Sequence, residues 1–120
     1  MQRLWIAIGS LAGLSAVAMA AFAAHATTGL DPNRVGMIRN AIQMQGWHAL
    51  ALIGCGLWAP RGGALSTWAG AAFTSGLLLF CGAVYALAIA EASVGALAPV
   101  GGTLLMLGWL LLFASALRAR

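Results

Sequence analysis

Long apolar stretches alternate with short polar segments along the chain. The apolar stretches extend from Leu4 to Ala24, from about Ile42 to Ala59, from about Leu65 to Ala90 and from about Ala98 to Leu117. A helix rises about 1.5 Å per residue, so roughly 20 residues cross a hydrocarbon core about 30 Å thick, and only the second stretch is marginal. Extended strands would leave backbone groups without hydrogen bonds in lipid. The pattern therefore predicts an all-α membrane protein, an antiparallel bundle of four transmembrane helices at about 4–24, 42–59, 65–90 and 98–117.

The main polar segment, residues 25–41, separates the first two spans. Asp31 and Pro32 are typical of a helix N-cap and of the first helical position. The apolar residues that follow recur at helical spacing, at Val35, Ile38 and Ile42. This spacing predicts an amphipathic outer segment that lies in the membrane interface before the second span. Continued to Ala59, that helix would be about 40 Å long, so we expect it to protrude or to bend near Gly46.

Composition agrees with a membrane location. Of the 120 residues 62% are apolar and only 7% are charged, which excludes an ordinary soluble globular domain and favours one integral membrane domain. The first span could instead be a cleaved signal peptide, since Arg3 precedes it and small-residue triplets such as Ala18-Met19-Ala20 occur in it. Its apolar run of about 21 residues exceeds the roughly 7 to 15 of a signal core, so we expect the segment to be retained.

The charged residues indicate an orientation in the bilayer. Six Arg residues are scattered singly, without the basic cluster typical of nucleic-acid binding. With four spans, the side of the two termini would carry Arg3, Arg61, Arg118 and Arg120, and the other side Arg34 and Arg39. Because Lys and Arg are retained in the cytoplasm, the distribution predicts cytoplasmic N- and C-termini.

Small residues at helical spacing predict where the helices approach one another. Lipid supplies no hydrophobic drive for helix association, so small side chains that permit close contact are favoured at helix interfaces. The candidate packing positions are Gly9, Gly13, Ala72, Gly76, Gly101, Gly102 and Gly108. The same faces suggest association with another membrane protein or with further copies of the chain.

Five polar side chains are predicted near the outer ends of the spans. His25 and Glu91 lie at the boundary, and Gln45 stands one helical turn above His48. Counted from the outer end of each span, His48 would be roughly 9 Å deep and Tyr85 roughly 8 Å deep. Buried polar groups are normally hydrogen-bonded to each other, so a purely structural role is sufficient. A shared binding site in this shallow layer is the sharper hypothesis.

Several versions of such a site remain open. His25 and His48 could supply neutral imidazoles to a metal ion, with Met37 or Met44 as a soft donor to copper, or to a bis-His haem. His48, Tyr85 and Glu91 could begin a proton or solute path.

The sequence contains no HExxH, CxxC or paired-carboxylate motif, Cys55 and Cys81 are best interpreted as small apolar residues, and no nucleophile has a neighbouring base. No cofactor is therefore predicted.

Several segments together resemble a known family. They are residues 21–25 (AFAAH), 41–52 (AIQMQGWHALAL), 80–85 (FCGAVY), 95–102 (GALAPVGG) and 108–110 (GWL). In these the chain is similar to the small multi-pass membrane proteins of domain of unknown function 423, related to transmembrane protein 256. It departs from that pattern at Ala23-Ala24, where the family has glycine before the first histidine, and near Gln45, where the family has an aromatic residue. The resemblance implies a four-helix inner-membrane protein and brings no assigned catalysis.

The leading hypothesis is a non-enzymatic inner-membrane protein that packs with other membrane proteins or with itself. The alternative is an outward-facing small-ligand, metal or proton binding or transport site. Its candidate residues are His25, Gln45, His48, Tyr85 and Glu91.

Overall fold

The computed structural model describes residues 1–119, and these residues form three helices and no strand. Helix α1 is Gln2–His25, α2 is Pro32–Ala90 and α3 is Leu97–Arg118. Each is long and apolar enough to cross a membrane. The all-α prediction is confirmed, and the first and last predicted spans correspond to α1 and α3.

The prediction of four separate helices is not supported, because the second and third predicted spans are parts of α2. This helix has 59 residues, and Gly63 alone within it has non-helical dihedral angles, with φ 59° and ψ −145°. A straight helix of that length would extend about 88 Å, whereas the longest dimension of the molecule is 53 Å. The chain therefore reverses at Gly63, between a first arm (residues 32–62) and a second arm (residues 64–90).

A single glycine suffices for this reversal because a positive φ is accessible to glycine without steric cost. Pro60 lies inside the helix, three residues before the reversal. The predicted N-terminal boundary of the first arm is confirmed, since the Asp31 side chain accepts a hydrogen bond from Asn33 N and Pro32 follows it. Of the two alternatives expected for this helix, protrusion or a bend near Gly46, the helical break at Gly46 is absent, and the helix continues from Pro32 to Gly62.

The two arms of α2 form the centre of the molecule, and α1 and α3 pack against them. Within residues 1–119, α1 and α3 do not contact each other. The connections 26–31 and 91–96 lie at one end of the bundle, which we call the loop end; Met1, Gly63 and Ala119 lie at the other, the terminal end. The segment predicted to be an amphipathic outer stretch is the loop end of the first arm, where Ile38 and Ala41 are fully buried.

Helix α1 is held close to α2 by glycines on both helices. A Cβ added at Gly9 would lie 2.7 Å from the Ala49 carbonyl oxygen, and one added at Gly56 would lie 2.8 Å from the Gln2 carbonyl oxygen. Gly13, by contrast, has room, since its added Cβ would lie 3.9 Å from Ala49 Cβ. Gly9 thus lies at a tight interface, whereas Gly13 does not.

Helix α3 approaches the second arm in the same way. An added Cβ at Gly76 would lie 2.9 Å from the carbonyl oxygen of Gly101, and Gly101 itself lies against the Phe80 backbone. Gly108 makes room for the Phe73 ring, 2.6 Å from its added Cβ. Of the other candidates, Ala72 is buried and Gly102 has only an ordinary contact.

Candidate functional site

Gln45 joins three helical segments near the middle of the bundle. Its side-chain Nε2 donates a hydrogen bond to the Ala12 carbonyl oxygen on α1 at 2.9 Å. Its Oε1 accepts a hydrogen bond from the Tyr85 hydroxyl on the second arm at 2.7 Å. Gln45 is only 8% exposed, so these bonds satisfy groups that lipid could not. The structure thus brings Gln45 and Tyr85 together.

His48 belongs to a separate cluster on the α3 side. Its Nδ1 lies 2.6 Å from the Met44 carbonyl oxygen, and its Nε2 accepts a hydrogen bond from the Trp109 indole N–H at 3.0 Å. A carbonyl can only accept, so Nδ1 carries the proton and the imidazole is the neutral Nδ1–H tautomer. The rings of His48, Phe73 and Trp109 pack edge to face, with centroids 5.1 to 5.7 Å apart. Both nitrogens are used, which leaves no free lone pair for a metal.

The other two candidates lie at the loop end. His25 is the exposed last residue of α1. Glu91 follows α2 and forms an ion pair with Arg34, in which the Arg side chain is 33% and the Glu side chain 66% exposed. This ion pair connects the two arms of α2 across the loop end.

The predicted shallow layer is not formed. Ala12, which Gln45 contacts, is 13 residues from His25, or about 20 Å along α1. His48 is 16 residues from Pro32, or about 24 Å along the first arm. The depth estimate was wrong because the first arm begins ten residues earlier than the predicted span. His25 and His48 consequently lie at different heights, and no imidazole pair for a metal or haem is assembled.

A cavity of about 290 Å³ lies between α1 and the second arm. Gln45 and Tyr85 line it on one side, and Ser15 and Thr74 add hydroxyl groups. The remaining lining is apolar: Ile8, Leu11, Ala12, Leu52, Leu77, Leu78, Cys81 and Gly82. Leu11 and Leu78 are 63% and 72% exposed, so the cavity opens sideways between the two helices.

The rest of the buried polar groups stabilise helix packing. The Ser66 hydroxyl donates to the Cys55 carbonyl oxygen at 3.1 Å, which ties the two arms together beside Gly63. Cys81 Sγ donates to the Ala41 carbonyl oxygen at 3.4 Å. Among the described residues, the Trp5 indole N–H is the one buried side-chain nitrogen or oxygen without a hydrogen-bond partner. No three His, Cys, Asp or Glu side chains of residues 1–119 are grouped as a metal ion would require.

Sequence reasoning missed the two tryptophan side chains that donate hydrogen bonds to polar residues of the interior. Trp109 on α3 supplies the donor to His48, and Trp58 donates to the Ser115 hydroxyl at 3.0 Å. A usable signal existed, because an indole N–H inside a span needs an acceptor and few side chains in these spans provide one. Ser15 was missed as a cavity residue because its position depends on how α1 is rotated.

Comparison with known proteins gives one consistent answer. The family model described as Protein of unknown function (DUF423) matches residues 19–102. A UPF0382 membrane protein of Staphylococcus epidermidis is 32% identical over 119 residues, 98% of each chain. The UPF0382 membrane protein YwdK of Bacillus subtilis and the UPF0382 inner membrane protein YgdD of Escherichia coli are each 28% identical, covering 98% and 99% of this chain and 98% and 93% of their own. No solved structure matches the chain.

Proposed function

This chain belongs to the DUF423 family of membrane proteins, and from this premise we propose that it is a non-enzymatic, multi-pass inner-membrane protein that packs with another membrane protein or a second copy of itself. The observation that carries the proposal is the exposure of α1. Only Trp5, Gly9 and Ala16 of its 24 residues are buried. A helix that contributes so little to its own bundle has most of its surface available to a neighbour.

The character of that surface supports association. The exposed face of α1 combines large apolar side chains with small ones, Ala18 and Ala21. The large ones, Leu4, Leu11, Leu14 and Val17, are between 45% and 71% exposed. Small residues permit close helix approach in lipid, where van der Waals packing drives association.

The non-enzymatic part of the proposal is supported by how the interior polar groups are used. His48, Gln45, Ser66 and Cys81 all hydrogen-bond to partners on helices or to helix carbonyl oxygens. Catalysis needs a nucleophile or an acid–base group that is free to react. The interior groups here act as interhelical links.

We propose four membrane crossings, one each by α1, the two arms of α2, and α3. The arms have 31 and 27 residues, about 46 and 40 Å by the helical rise, so both exceed the hydrocarbon thickness. Arg3, Arg61 and Arg118 belong to the terminal end, and Arg34 and Arg39 to the loop end. The positive-inside rule then favours cytoplasmic termini.

Cross-linking in native membranes tests the association. The Leu14→Cys variant should form a cross-linked product with a bifunctional maleimide. The mass of this product distinguishes a second copy of the chain from another protein. The matched control is Leu110→Cys on α3, a leucine 64% exposed against 67% for Leu14, which should remain at the single-chain mass. Cys55 and Cys81 are buried and should contribute no background. If Leu14→Cys also remained single in membranes and in native mass spectrometry, the association would be refuted.

A second candidate function is small-ligand binding at Gln45 and Tyr85, and the cavity beside them favours it. Gln45 and Tyr85 are two of the five residues that the sequence analysis named for a binding or transport site. His25, His48 and Glu91 do not line that cavity.

A further inference from the structure

The cavity between α1 and the second arm has a polar side that the protein does not fully use. A Gln side chain has two N–H donors, and only one of them, to the Ala12 carbonyl oxygen, is accounted for by the hydrogen bonds of Gln45. Ser15 also lines the cavity, and its hydroxyl makes no hydrogen bond within the described residues. Thr74 and Ser75, in contrast, donate to the carbonyl oxygens of the preceding helical turn. The cavity therefore offers donors to an acceptor on a ligand.

The position of these donors restricts the ligand. Ser15 is 10 residues from His25 and 13 from Gln2, or about 15 and 20 Å along α1. It therefore lies near the middle of the bilayer. The ester carbonyls of phospholipids are held at the edge of the hydrocarbon core, about 15 Å from its midplane. A phospholipid in its usual position could not offer them to Ser15.

The charge of the cavity lining restricts the ligand further. Among the described residues, no charged side chain lines the cavity. A charged ligand at this depth would be uncompensated and costly. An uncharged ligand with a carbonyl acceptor is compatible with the lining, and an apolar tail could leave between Leu11 and Leu78, which are exposed at the rim.

We infer that the cavity binds an uncharged lipid of the isoprenoid quinone class, with one ring carbonyl accepting hydrogen bonds from Ser15 and Gln45 near the bilayer midplane. The inference rests on the second proposed function, ligand binding at Gln45 and Tyr85. Quinones combine carbonyl acceptors, no charge and an apolar tail that keeps them inside the membrane. A cavity of about 290 Å³ is near the lower limit of ligand pockets and suits the ring, with the tail outside.

The test is native mass spectrometry of the purified full chain with decylubiquinone, compared with decylbenzene, which has the tail and a ring without carbonyls. One decylubiquinone should bind per chain and decylbenzene should bind more weakly. Ser15→Ala should weaken decylubiquinone binding ~3- to 10-fold, as the loss of one hydrogen bond predicts. The control Ser10→Ala removes another exposed α1 hydroxyl that does not line the cavity, and should change nothing.

A second pair of variants tests the cavity itself, one inside it and a control outside it. Gly82 lines the cavity and Gly54 does not, and an added Cβ at either would meet no atom within 4 Å. Gly82→Leu should abolish binding, whereas Gly54→Leu should bind like the unmodified chain. A thermal unfolding profile for each variant shows that it is folded.

The outcomes separate the ligand class from the site. If decylbenzene bound as tightly as decylubiquinone and Gly82→Leu blocked both, the site would exist but the quinone assignment would be wrong. Preferential binding of dioleoylglycerol would likewise overturn the class. If no probe bound, or if Gly82→Leu had no effect, the ligand site itself would be refuted.

Discussion

Gln45, His48, Ser66 and Ser115, which are buried in the bundle, each have a defined hydrogen-bond partner. His48 donates through Nδ1 to a helix carbonyl oxygen and accepts through Nε2 from Trp109. Such bonds between transmembrane helices contribute about 0.6 to 1.7 kcal/mol each. They are modest in energy but specific in geometry, so they fix how α3 is rotated against the first arm.

A double-mutant cycle measures the His48–Trp109 bond. We expect the double variant His48→Phe/Trp109→Phe to lose less stability than the sum of the losses of the two single variants. The coupling should be about 1 kcal/mol in the free energy of unfolding. The measurement is steric-trap unfolding in bicelles. His48→Phe combined with Trp58→Phe is the control, because Trp58 bonds to Ser115, and its coupling should be near zero. Equal couplings in both cycles would contradict the assigned bond.

Glu91 combines a favourable side-chain contact with an unfavourable backbone conformation. Its φ of 55° and ψ of 25° are in the left-handed region, which costs a non-glycine residue about 1 to 2 kcal/mol. Its exposed ion pair with Arg34 contributes less, about 0.2 to 1 kcal/mol. We therefore expect Glu91→Gly to be more stable than Glu91→Gln by about 1 kcal/mol, measured as the free energy of unfolding. Both variants lack the ion pair, so a glycine variant no more stable than Glu91→Gln would contradict the assigned backbone strain.

The sequence predicted that Gln45 and His48 would be buried polar groups, but it identified neither Ser66 and Ser115, which are also buried, nor the partner of His48 on α3. Gln45, His48 and Tyr85 were identified because polar side chains inside spans are rare. Their partners depend on depth and rotation, and the depth estimate began the second span at Ile42 although the helix begins at Pro32. An error of ten residues moves a side chain by about 15 Å, enough to separate His48 from His25.

At the level of elements, hydropathy located α1 and α3 but divided α2 into two separate spans, and a local signal located the start of α2. Asp31 and Pro32 correctly marked the beginning of α2. The reversal was less predictable, because Pro60, Gly62 and Gly63 all favour a turn in the sequence and the structure uses only Gly63. Close packing was predicted at six glycines and Ala72, yet Gly13 and Gly102 have room for a Cβ, because which glycines touch a neighbour depends on helix rotation.

Gly9 and Gly13 on α1 provide a matched test of which glycines pack against a neighbouring helix. Gly9→Ala places a methyl group 2.7 Å from the Ala49 carbonyl oxygen, and so should lower the free energy of unfolding by about 1 to 3 kcal/mol. Gly13→Ala meets only Ala49 Cβ at 3.9 Å and should cause no loss. Unfolding in bicelles gives both values. Equal effects would mean that α1 is packed with a different rotation.

At the scale of the whole molecule, the loop end and the terminal end of the bundle restrict its orientation in a bilayer. The connections 26–31 and 91–96 share the loop end, and the Arg34–Glu91 ion pair lies there. With the four crossings proposed above, both connections face the same side of the membrane, while Gly63 and the termini face the other.

Cysteine accessibility tests this arrangement. With a membrane-impermeant maleimide, Thr28→Cys and Ser93→Cys should react in right-side-out vesicles, and Ala64→Cys should react only after the vesicles are opened. All three positions are exposed, and the native Cys55 and Cys81 are buried. If only one of residues 28 and 93 were labelled in intact vesicles, the two connections could not lie on the same side of the membrane. A fully inverted pattern would refute the proposed cytoplasmic termini alone.

Because α1 and α3 each touch α2 and, over residues 1–119, never touch each other, biogenesis can proceed in two independent steps. Every partner of α1 precedes α3 in the sequence, so the N-terminal three-quarters of the chain can assemble without α3. The final helix then docks onto a preformed surface that contains Phe73, Gly76 and His48. Damage to one docking step should add to damage in the other without amplifying it, as expected for sites that share no contacts.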